Sequence, residues 1–456
     1  MTENADIQGM VAAGYGKLKA ATYLLFKVAD PVAARAWLAG LAGAVTNASA
    51  PVTTTGLNLA FTHAGLARLG LASQCLAAFP AEFAEGMVTT HRSRMLGDTG
   101  ASAPSGWRWG GDPAEPVDVL LLLFALDPPT LVALQQRAAA DPAAAGLRLV
   151  AQLETSDLGI HEHFGFHDGI SQPSIEGLKE PPPVPPPPWR DSIKPGEFVL
   201  GYPDEYGVIT PPIATPGGLD FGRNGTYLVF RQLQQDVAAF WTFADERKAE
   251  GGHGHAEELA AKLVGRWPSG APLVRSPEHD DSTLASENNF AYGIEDPHGF
   301  GCPVGCHIRR TNPRDSLDPS PGSDKAVALV KRHRILRRGR EYGPPLGPDP
   351  AGPRPPIRDD GQDRGLQFLC LNADLVRQFE FVQATWVASP KFAGLYDEAD
   401  PVIASRGPLD SSFTIPDQPF RHRLRELPQF VTVVGGGYFF LPGIQALLHL
   451  GSPGSA

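Results

Sequence analysis

The sequence predicts an α+β protein built from two similar halves, each with the ferredoxin-like element order β-α-β-β-α-β. Three observations support this fold class. Short apolar runs alternate with helix-like segments early in the chain, the same alternation returns after a proline run, and 456 residues exceed the usual limit for a single core. We therefore expect an N-terminal half (residues 1–180), a Pro-rich linker (181–200) and a C-terminal half (201–456).

The elements of the N-terminal half follow from apolar runs and helix-start signals. Asp30 precedes Pro31, which is the pattern of an N-cap followed by proline at the first helical position. Asp127 is followed by two prolines and then by a helix-like segment. The expected strands are 23–28, 57–61, 119–126 and 147–153, the expected helices are 31–41, 63–69 and 130–140, and an insertion occupies about 70–117.

The C-terminal half repeats the alternation after the linker. Residues 181–188 read Pro-Pro-Pro-Val-Pro-Pro-Pro-Pro, which predicts an extended polyproline II spacer, with a ligand for an aromatic-lined groove as the alternative. The expected strands are 226–232, 307–310, 334–336, 366–371, 430–434 and 438–441, and the expected helices are 236–248 and 374–387.

Composition and charge narrow the class of protein. Gly and Pro number 50 and 45, which indicates a loop-rich globular chain. The net charge of −11 opposes binding to nucleic acid and to anionic membranes. Four cysteines in so long a chain do not indicate a disulfide scaffold. The N-terminal residues contain neither a basic region with a long apolar run nor a twin-arginine pair, so we expect a cytoplasmic protein without a membrane span.

The segment Phe164–Pro173 places one acid, Asp168, between Gly165 and Gly169. Glycine allows a positive φ or a close backbone approach, so the carboxylate is held in a fixed position. Such a position suits a catalytic acid or base. The structural alternative is an Asx-type turn that leads into a loop ended by proline.

The pattern Gly165-Phe166-His167-Asp168-Gly169 resembles the Gly-x-x-Asp-Gly signature of the dye-decolorizing (DyP-type) haem peroxidases. Further segments resemble that family in its order, namely residues 224–231, 307–314, 334–343, 378–383 and 435–442. The resemblance implies the family's dimeric α+β barrel-like fold, with non-covalent haem b held mainly by the C-terminal half. It also implies reduction of hydrogen peroxide coupled to oxidation of dyes, phenols or other small aromatic one-electron donors.

The resemblance also implies roles for individual residues. His307 is the expected axial ligand of the haem iron, and it needs a hydrogen-bond acceptor on its other ring nitrogen. Asp374 is the expected acceptor, and Glu380 is the alternative. Asp168 is the expected distal acid–base residue, whose low intrinsic pKa predicts a rate that falls as pH rises through neutrality.

Basic residues supply the remaining expectations. Arg337, which follows Ile-Leu in a basic run, is the expected distal cation. A solvated edge strand and a nucleic-acid patch are the alternatives for this run. Arg309 and Arg314 are candidate partners of the haem propionates, because arginine pairs well with carboxylates.

Several questions stay open at the level of sequence. Cys302 and Cys306 precede His307 in a pattern like a c-type haem attachment site, but with three residues between the cysteines instead of two, so we expect a structural or incidental role. The alternative functions are a haem-handling protein without peroxidase turnover and an RNA-binding module, against which the net charge weighs. The sequence does not identify the reducing substrate or an aromatic residue that relays electrons. It also leaves the oligomeric state open, with a homo-oligomer as one alternative.

Overall fold

A computed structural model describes residues 2–178, 192–252, 254–347, 357–407 and 411–452. The described strands are β1 (Ala20–Val28), β2 (Thr55–Phe61), β3 (Val119–Ala125), β4 (Leu147–Glu154), β5 (Ser174–Ile175), β6 (Ser192–Ile193), β7 (Thr226–Gln235), β8 (Leu336–Arg337), β9 (Arg340–Tyr342), β10 (Gly365–Asn372), β11 (Phe413–Ile415), β12 (His422–Leu424) and β13 (Val431–Leu441). The predicted linker lies mostly outside these residues, so its conformation and the proposed domain boundaries stay predictions.

The described helices lie between and around these strands. They are α1 (Gly9–Ala12), α2 (Pro31–Ala42), α3 (His63–Arg68), α4 (Ser73–Ala78), α5 (Ala81–Glu85), α6 (Thr90–Met95), α7 (Pro128–Ala139), α8 (Val237–Arg247), α9 (Ala256–Val264), α10 (Tyr292–Glu295), α11 (His307–Thr311), α12 (Asp324–Lys331) and α13 (Ile444–Gly451). None of the helices in the described part of the chain has the length and apolar character needed to cross a bilayer.

One nine-stranded antiparallel sheet joins the two halves of the chain. Its order is β4-β1-β3-β2-β13-β7-β10-β8, and β9 also pairs with β10. The halves meet where Phe61 of β2 pairs with Phe440 of β13. Ser156, just after β4, donates its backbone N–H to the carbonyl oxygen of Glu341 in β9 over 2.8 Å, so the two outer strands approach each other. The α+β class is as predicted, and the described strands form an open sheet that does not close into a barrel.

Local sequence explains most of these elements. Asp30 caps α2 by accepting from the N–H groups of Val32 and Ala33, as its position before proline predicted. Asp127 caps α7 in the same way, through the N–H of Thr130. The predicted apolar strand at 119–126 is β3, which is fully buried between β1 and β2.

The sheet separates two large apolar clusters. Helices α2, α7 and α13 pack on one face, where they bury Leu38, Leu134 and Leu447. The other face packs against the N-terminal segment, including Ile7 and Met10. Side chains of a strand point alternately to the two faces, so strands with both faces covered are buried almost throughout.

The structure refines two predictions about the C-terminal half. The expected pair of strands at 430–434 and 438–441 is one continuous strand, β13, because its three glycines continue the ladder with β7 through a bulge between Val433 and Gly435. The segment predicted as helical at 374–387 is helical, and it contains two π-helical segments, Val376–Glu380 and Val382–Val387. Such segments are rare and occur frequently at functional sites.

Candidate functional site

His307 is the first residue of α11, and this corrects the strand predicted at 307–310. The helix has five residues, too few for apolar periodicity to distinguish a helix from a strand. It starts directly after a turn in which the N–H of Cys306 donates to the carbonyl oxygen of Pro303 over 3.1 Å. The imidazole keeps 26% of its surface exposed, so it opens onto a space not filled by protein.

The Nδ1 atom of His307 lies 2.9 Å from Oδ2 of Asp400, a fully buried carboxylate. The other oxygen of Asp400 accepts from the backbone N–H groups of Val402 and Ile403, each over 2.9 Å. Burial opposes ionisation of Asp400, but His307 and these hydrogen bonds hold its pKa below the usual value. The ionised carboxylate therefore accepts the Nδ1 proton, which leaves the lone pair of the imidazole on Nε2.

Arg310 fixes the loop of Asp400 against α11. Its buried guanidinium donates to the carbonyl oxygens of Gly305, Trp386 and Ser389 over 3.0, 2.7 and 3.2 Å, and also to that of Glu398. Because one rigid group bonds to the turn before α11 and to the chain just before Asp400, the spacing of His307 and Asp400 is held by four hydrogen bonds. Desolvation lowers the pKa of Arg310, and Asp400 and Glu398 offset that effect.

The structure gives the sequence-predicted acceptors other roles. Asp374 accepts from the backbone N–H of Arg377 over 2.9 Å, and its side chain is 42% exposed. Glu380 accepts two hydrogen bonds from Arg92, at 2.8 and 2.9 Å, and one from the hydroxyl of Tyr438. The expectation that Asp374 supports His307 was therefore wrong. No local signal could have found Asp400, which lies 93 residues from His307 in the chain.

Asp168 lies on a loop whose two glycines take positive φ, 90° at Gly165 and 83° at Gly169, as the sequence predicted. Its backbone N–H donates to the carbonyl oxygen of Ile160 over 2.9 Å. Its Oδ1 accepts from the N–H of Gly169 over 2.6 Å, which is a turn of the Asx kind. The turn of the structural interpretation is therefore present, and it fixes the position of the carboxylate.

Arg337 on β8 donates from Nη1 to the same Oδ1 of Asp168 over 2.8 Å. Its backbone N–H donates to the side chain of Gln172, which ties the edge strand to the loop. The two side chains of the pair are 38% and 34% exposed, so water reaches both. Desolvation raises the pKa of Asp168, but the charge and hydrogen bond of Arg337 lower it below the usual value, and the charge of His307 adds to this effect.

Two further carboxyl groups lie close to Asp168, and sequence reasoning missed both. Glu162 accepts from the N–H groups of Phe164 and Phe166 over 2.9 and 3.0 Å and from the amide of Gln235 over 2.8 Å, which fixes the start of the loop. Glu341 lies on β9. Burial raises the pKa of each to about 7, and the charge of Asp168 adds to both shifts.

Arg309 and Arg314, the two candidate partners of the haem propionates, bind carbonyl groups of neighbouring loops. Arg309 is buried, donates to the carbonyl oxygens of Cys302 and Asp296 over 2.7 and 2.9 Å, and lies over the ring of Tyr292. Arg314 donates to the carbonyl oxygens of Asn288 and Phe290 and stacks on the ring of Phe290. These contacts hold loops together, and binding of haem propionates by the two arginines stays a prediction. A buried arginine satisfies its five donors where packing places carbonyl groups, which spacing in the sequence does not reveal.

The chain resembles proteins of one family along nearly its whole length, although no protein-family model matches it. It is 31% identical over 472 residues to Peroxidase 2 of Mycetinis scorodonius, which covers 97% of this chain and 86% of that protein. It is 30% identical to Multifunctional dye peroxidase DyP2 of Amycolatopsis sp., covering 94% and 92%. The chain therefore belongs to the dye-decolorizing peroxidase family, whose members are haem-dependent.

Solved structures agree with the sequence comparisons. An ancestral D-type dye-decolorizing peroxidase superposes with a TM-score of 0.78 at 30% identity, covering 99% of both chains. A dye-decolorizing peroxidase in complex with 2,6-dimethoxyphenol superposes with a TM-score of 0.80 at 25% identity, covering 99% of this chain and all of that one. The α+β fold is thus that of the family.

The residues around His307 and Asp168 fit a haem group. The imidazole presents Nε2 with its lone pair, which is the donor that iron requires. Arg337 pairs with Cys370 on β10, so Leu366 and Phe368 share the face of the sheet that carries Arg337. Both of these apolar side chains are only half-buried, as the contact surface of an apolar macrocycle would be.

Proposed function

We propose that this chain is a haem peroxidase that reduces hydrogen peroxide to water, with His307 as the axial ligand, Asp168 as the distal acid–base residue and Arg337 as the distal cation. The hydrogen bond between His307 and Asp400 is the observation that carries the proposal, because it fixes the tautomer that binds iron. Family membership supports the same activity.

The distal residues divide the chemistry between them. Oδ1 of Asp168 is occupied by Arg337 and Gly169, so Oδ2 is the atom that takes a proton from one peroxide oxygen and returns it to the other. Arg337 keeps this carboxylate ionised and stabilises the charge on the departing oxygen. Bound haem supplies the redox chemistry, which converts the two-electron reduction of peroxide into two one-electron oxidations of donors.

We further propose non-covalent haem b and small aromatic donors. The sulfurs of Cys302 and Cys306 face each other over 3.3 Å inside a buried cluster, which supports non-covalent binding. A thioether-linked haem would resist acid–acetone extraction, which tests this point. Phenols and dyes follow from the relatives named as dye peroxidases and from the neighbour crystallised with a dimethoxyphenol.

The test is a spectrum of the haem-reconstituted protein and of His307→Ala, before and after addition of hydrogen peroxide. We expect a Soret band that depends on His307 and changes with peroxide in the wild type. Peroxide-dependent dye bleaching by the wild type, strongly reduced in Asp168→Ala, distinguishes a peroxidase from a haem-handling protein. A spectrum indifferent to both His307 and peroxide would contradict the proposed function.

A further inference from the structure

Cys302 and Cys306 form a buried pair of thiols immediately before His307. Their Sγ atoms are 3.3 Å apart, and both residues are fully buried. The turn between them brings the side chains face to face. A disulfide has sulfurs about 2.05 Å apart, so closure needs a relative shift of only about 1.3 Å.

Buried cations lie beside this thiol pair. Nζ of Lys262 donates to the carbonyl oxygens of Phe300 and Gly301, over 3.2 and 2.6 Å, at the start of the turn. Arg309 donates to the carbonyl oxygen of Cys302 over 2.7 Å, and Asp296 accepts from the N–H of Cys302. Burial and the charge of Asp296 raise the pKa of the Cys302 thiol, but the hydrogen bond from Cys306 and the charges of Arg309 and Lys262 lower it below the usual value.

The backbone of Gly265 packs closely against both sulfurs. Gly265 has φ = +107°, and a Cβ there would lie 2.8 Å from Sγ of Cys306 and 2.4 Å from Cγ1 of Ile308. Sγ of Cys302 also lies 3.7 Å from the carbonyl oxygen of Gly265. The backbone of Gly265 therefore leaves little room for a lasting adduct or for further oxidation of either sulfur, whereas a bond between the two sulfurs needs no extra volume.

We propose that Cys302 and Cys306 are a redox-active dithiol that hydrogen peroxide oxidises to an intramolecular disulfide, which locks the turn leading into His307. One sulfur first attacks a peroxide oxygen, which breaks the O–O bond, forms a sulfenic acid and releases one water. The second sulfur then attacks the sulfenic sulfur, which breaks the S–O bond, forms the S–S bond and releases the second water. The two sulfurs give up two electrons, the peroxide takes them, and the oxygen atoms and thiol protons leave as two molecules of water. The step uses no haem chemistry, so the inference goes beyond the proposed function.

The chain offers a clean mass-spectrometric test on the full-length, haem-loaded protein. The protein is reduced, desalted, treated with hydrogen peroxide, denatured, alkylated and cut with trypsin. Both cysteines lie in the tryptic peptide 276–309, whereas Cys75 and Cys370 lie in peptides 69–92 and 365–377. We expect that only peptide 276–309 escapes alkylation and that its mass is about 2 Da below that of the reduced, unalkylated peptide. Treatment with a dithiol reductant before alkylation should reverse both changes.

Controls separate this inference from the peroxidase assignment. Cys306→Ser should leave Cys302 alkylated after the same treatment, and Cys370→Ala should not affect closure. Diamide, which oxidises thiols without peroxide, should produce the same cross-link even if the protein lacks peroxidase activity. Full alkylation of all four cysteines after both oxidants would overturn the proposal, and so would oxygen addition to peptide 276–309 in place of the cross-link.

A second measurement tests the effect on His307. Transfer of haem to an excess of apomyoglobin should be slower for the oxidised than for the reduced wild type, by about twofold or more, since a cross-link restricts opening of the turn. The rate for Cys306→Ser should not depend on oxidant. Equal rates for the two redox states of the wild type would refute the locking of the turn.

Discussion

Replacement of Asp400 by asparagine reverses the hydrogen bond that orients His307. In the native protein Nδ1–H donates to Oδ2 of Asp400 over 2.9 Å, while Oδ1 accepts from the N–H groups of Val402 and Ile403. An asparagine keeps the backbone bonds only if its oxygen replaces Oδ1, so its NH2 group faces His307. The imidazole must then accept at Nδ1 and carry its proton on Nε2, the atom proposed to bind iron.

The size of the effect follows from the bond that is lost. A hydrogen bond to a charged group contributes about 1.5–3 kcal/mol, which corresponds to about one to two orders of magnitude in affinity. Loss of a hydrogen-bond partner of a metal ligand typically costs about 10- to 100-fold. We therefore expect Asp400→Asn to raise the dissociation constant for haem by about 10- to 100-fold, measured by titration of the Soret absorbance.

Asp374→Asn is the matched control. It makes the same chemical change on the residue that the sequence favoured, but Asp374 contacts Arg377 and is 42% exposed. We expect its haem affinity to stay within about twofold of the wild type, because surface contacts contribute little. Circular dichroism and melting temperature verify that both variants are folded. Unchanged haem affinity in Asp400→Asn, or a large loss in Asp374→Asn, would refute the reasoning.

Three further predictions concern charges at the site. Arg337→Gln should raise the pKa of Asp168, since the charge and hydrogen bond of the arginine hold it down. The acid limb of kcat/KM for peroxide should then move to higher pH, and an unmoved limb contradicts the pairing. Burial raises the pKa of Glu341 to about 7 in the folded protein, against 4.5 for an exposed glutamate. The contribution of this residue to the free energy of unfolding is therefore fully present below pH 4.5 and is lost as pH rises through 7. Glu341→Gln should therefore gain about 1–2 kcal/mol over the wild type between pH 5 and 8 in urea unfolding, and parallel pH profiles would exclude this role. Arg310→Met should lower the free energy of unfolding by about 3–5 kcal/mol, because it leaves buried carbonyl groups unpaired, and a loss below about 1 kcal/mol would show that the loop holds without it.

The sequence by itself determined the features that depend on neighbouring residues. Asp30 and Asp127 cap their helices as predicted, since a cap involves atoms within three positions of the chain. Gly165 and Gly169 take the positive φ that their placement around Asp168 suggested. Most strands and helices, and the family resemblance, also depend on short segments of sequence, so they could be predicted without a structure.

Tertiary structure decided which buried polar groups meet. The partner of His307 is Asp400 and not Asp374, because helix α11 and the loop of Asp400 are held side by side by Arg310. Arg309, a candidate partner of a haem propionate, donates to the carbonyl oxygens of Cys302 and Asp296. A buried donor or acceptor must find a partner wherever packing supplies one, and packing joins segments far apart in the chain. For that reason local sequence identified His307, Asp168 and Arg337 as candidates but not the residues that hold them in position.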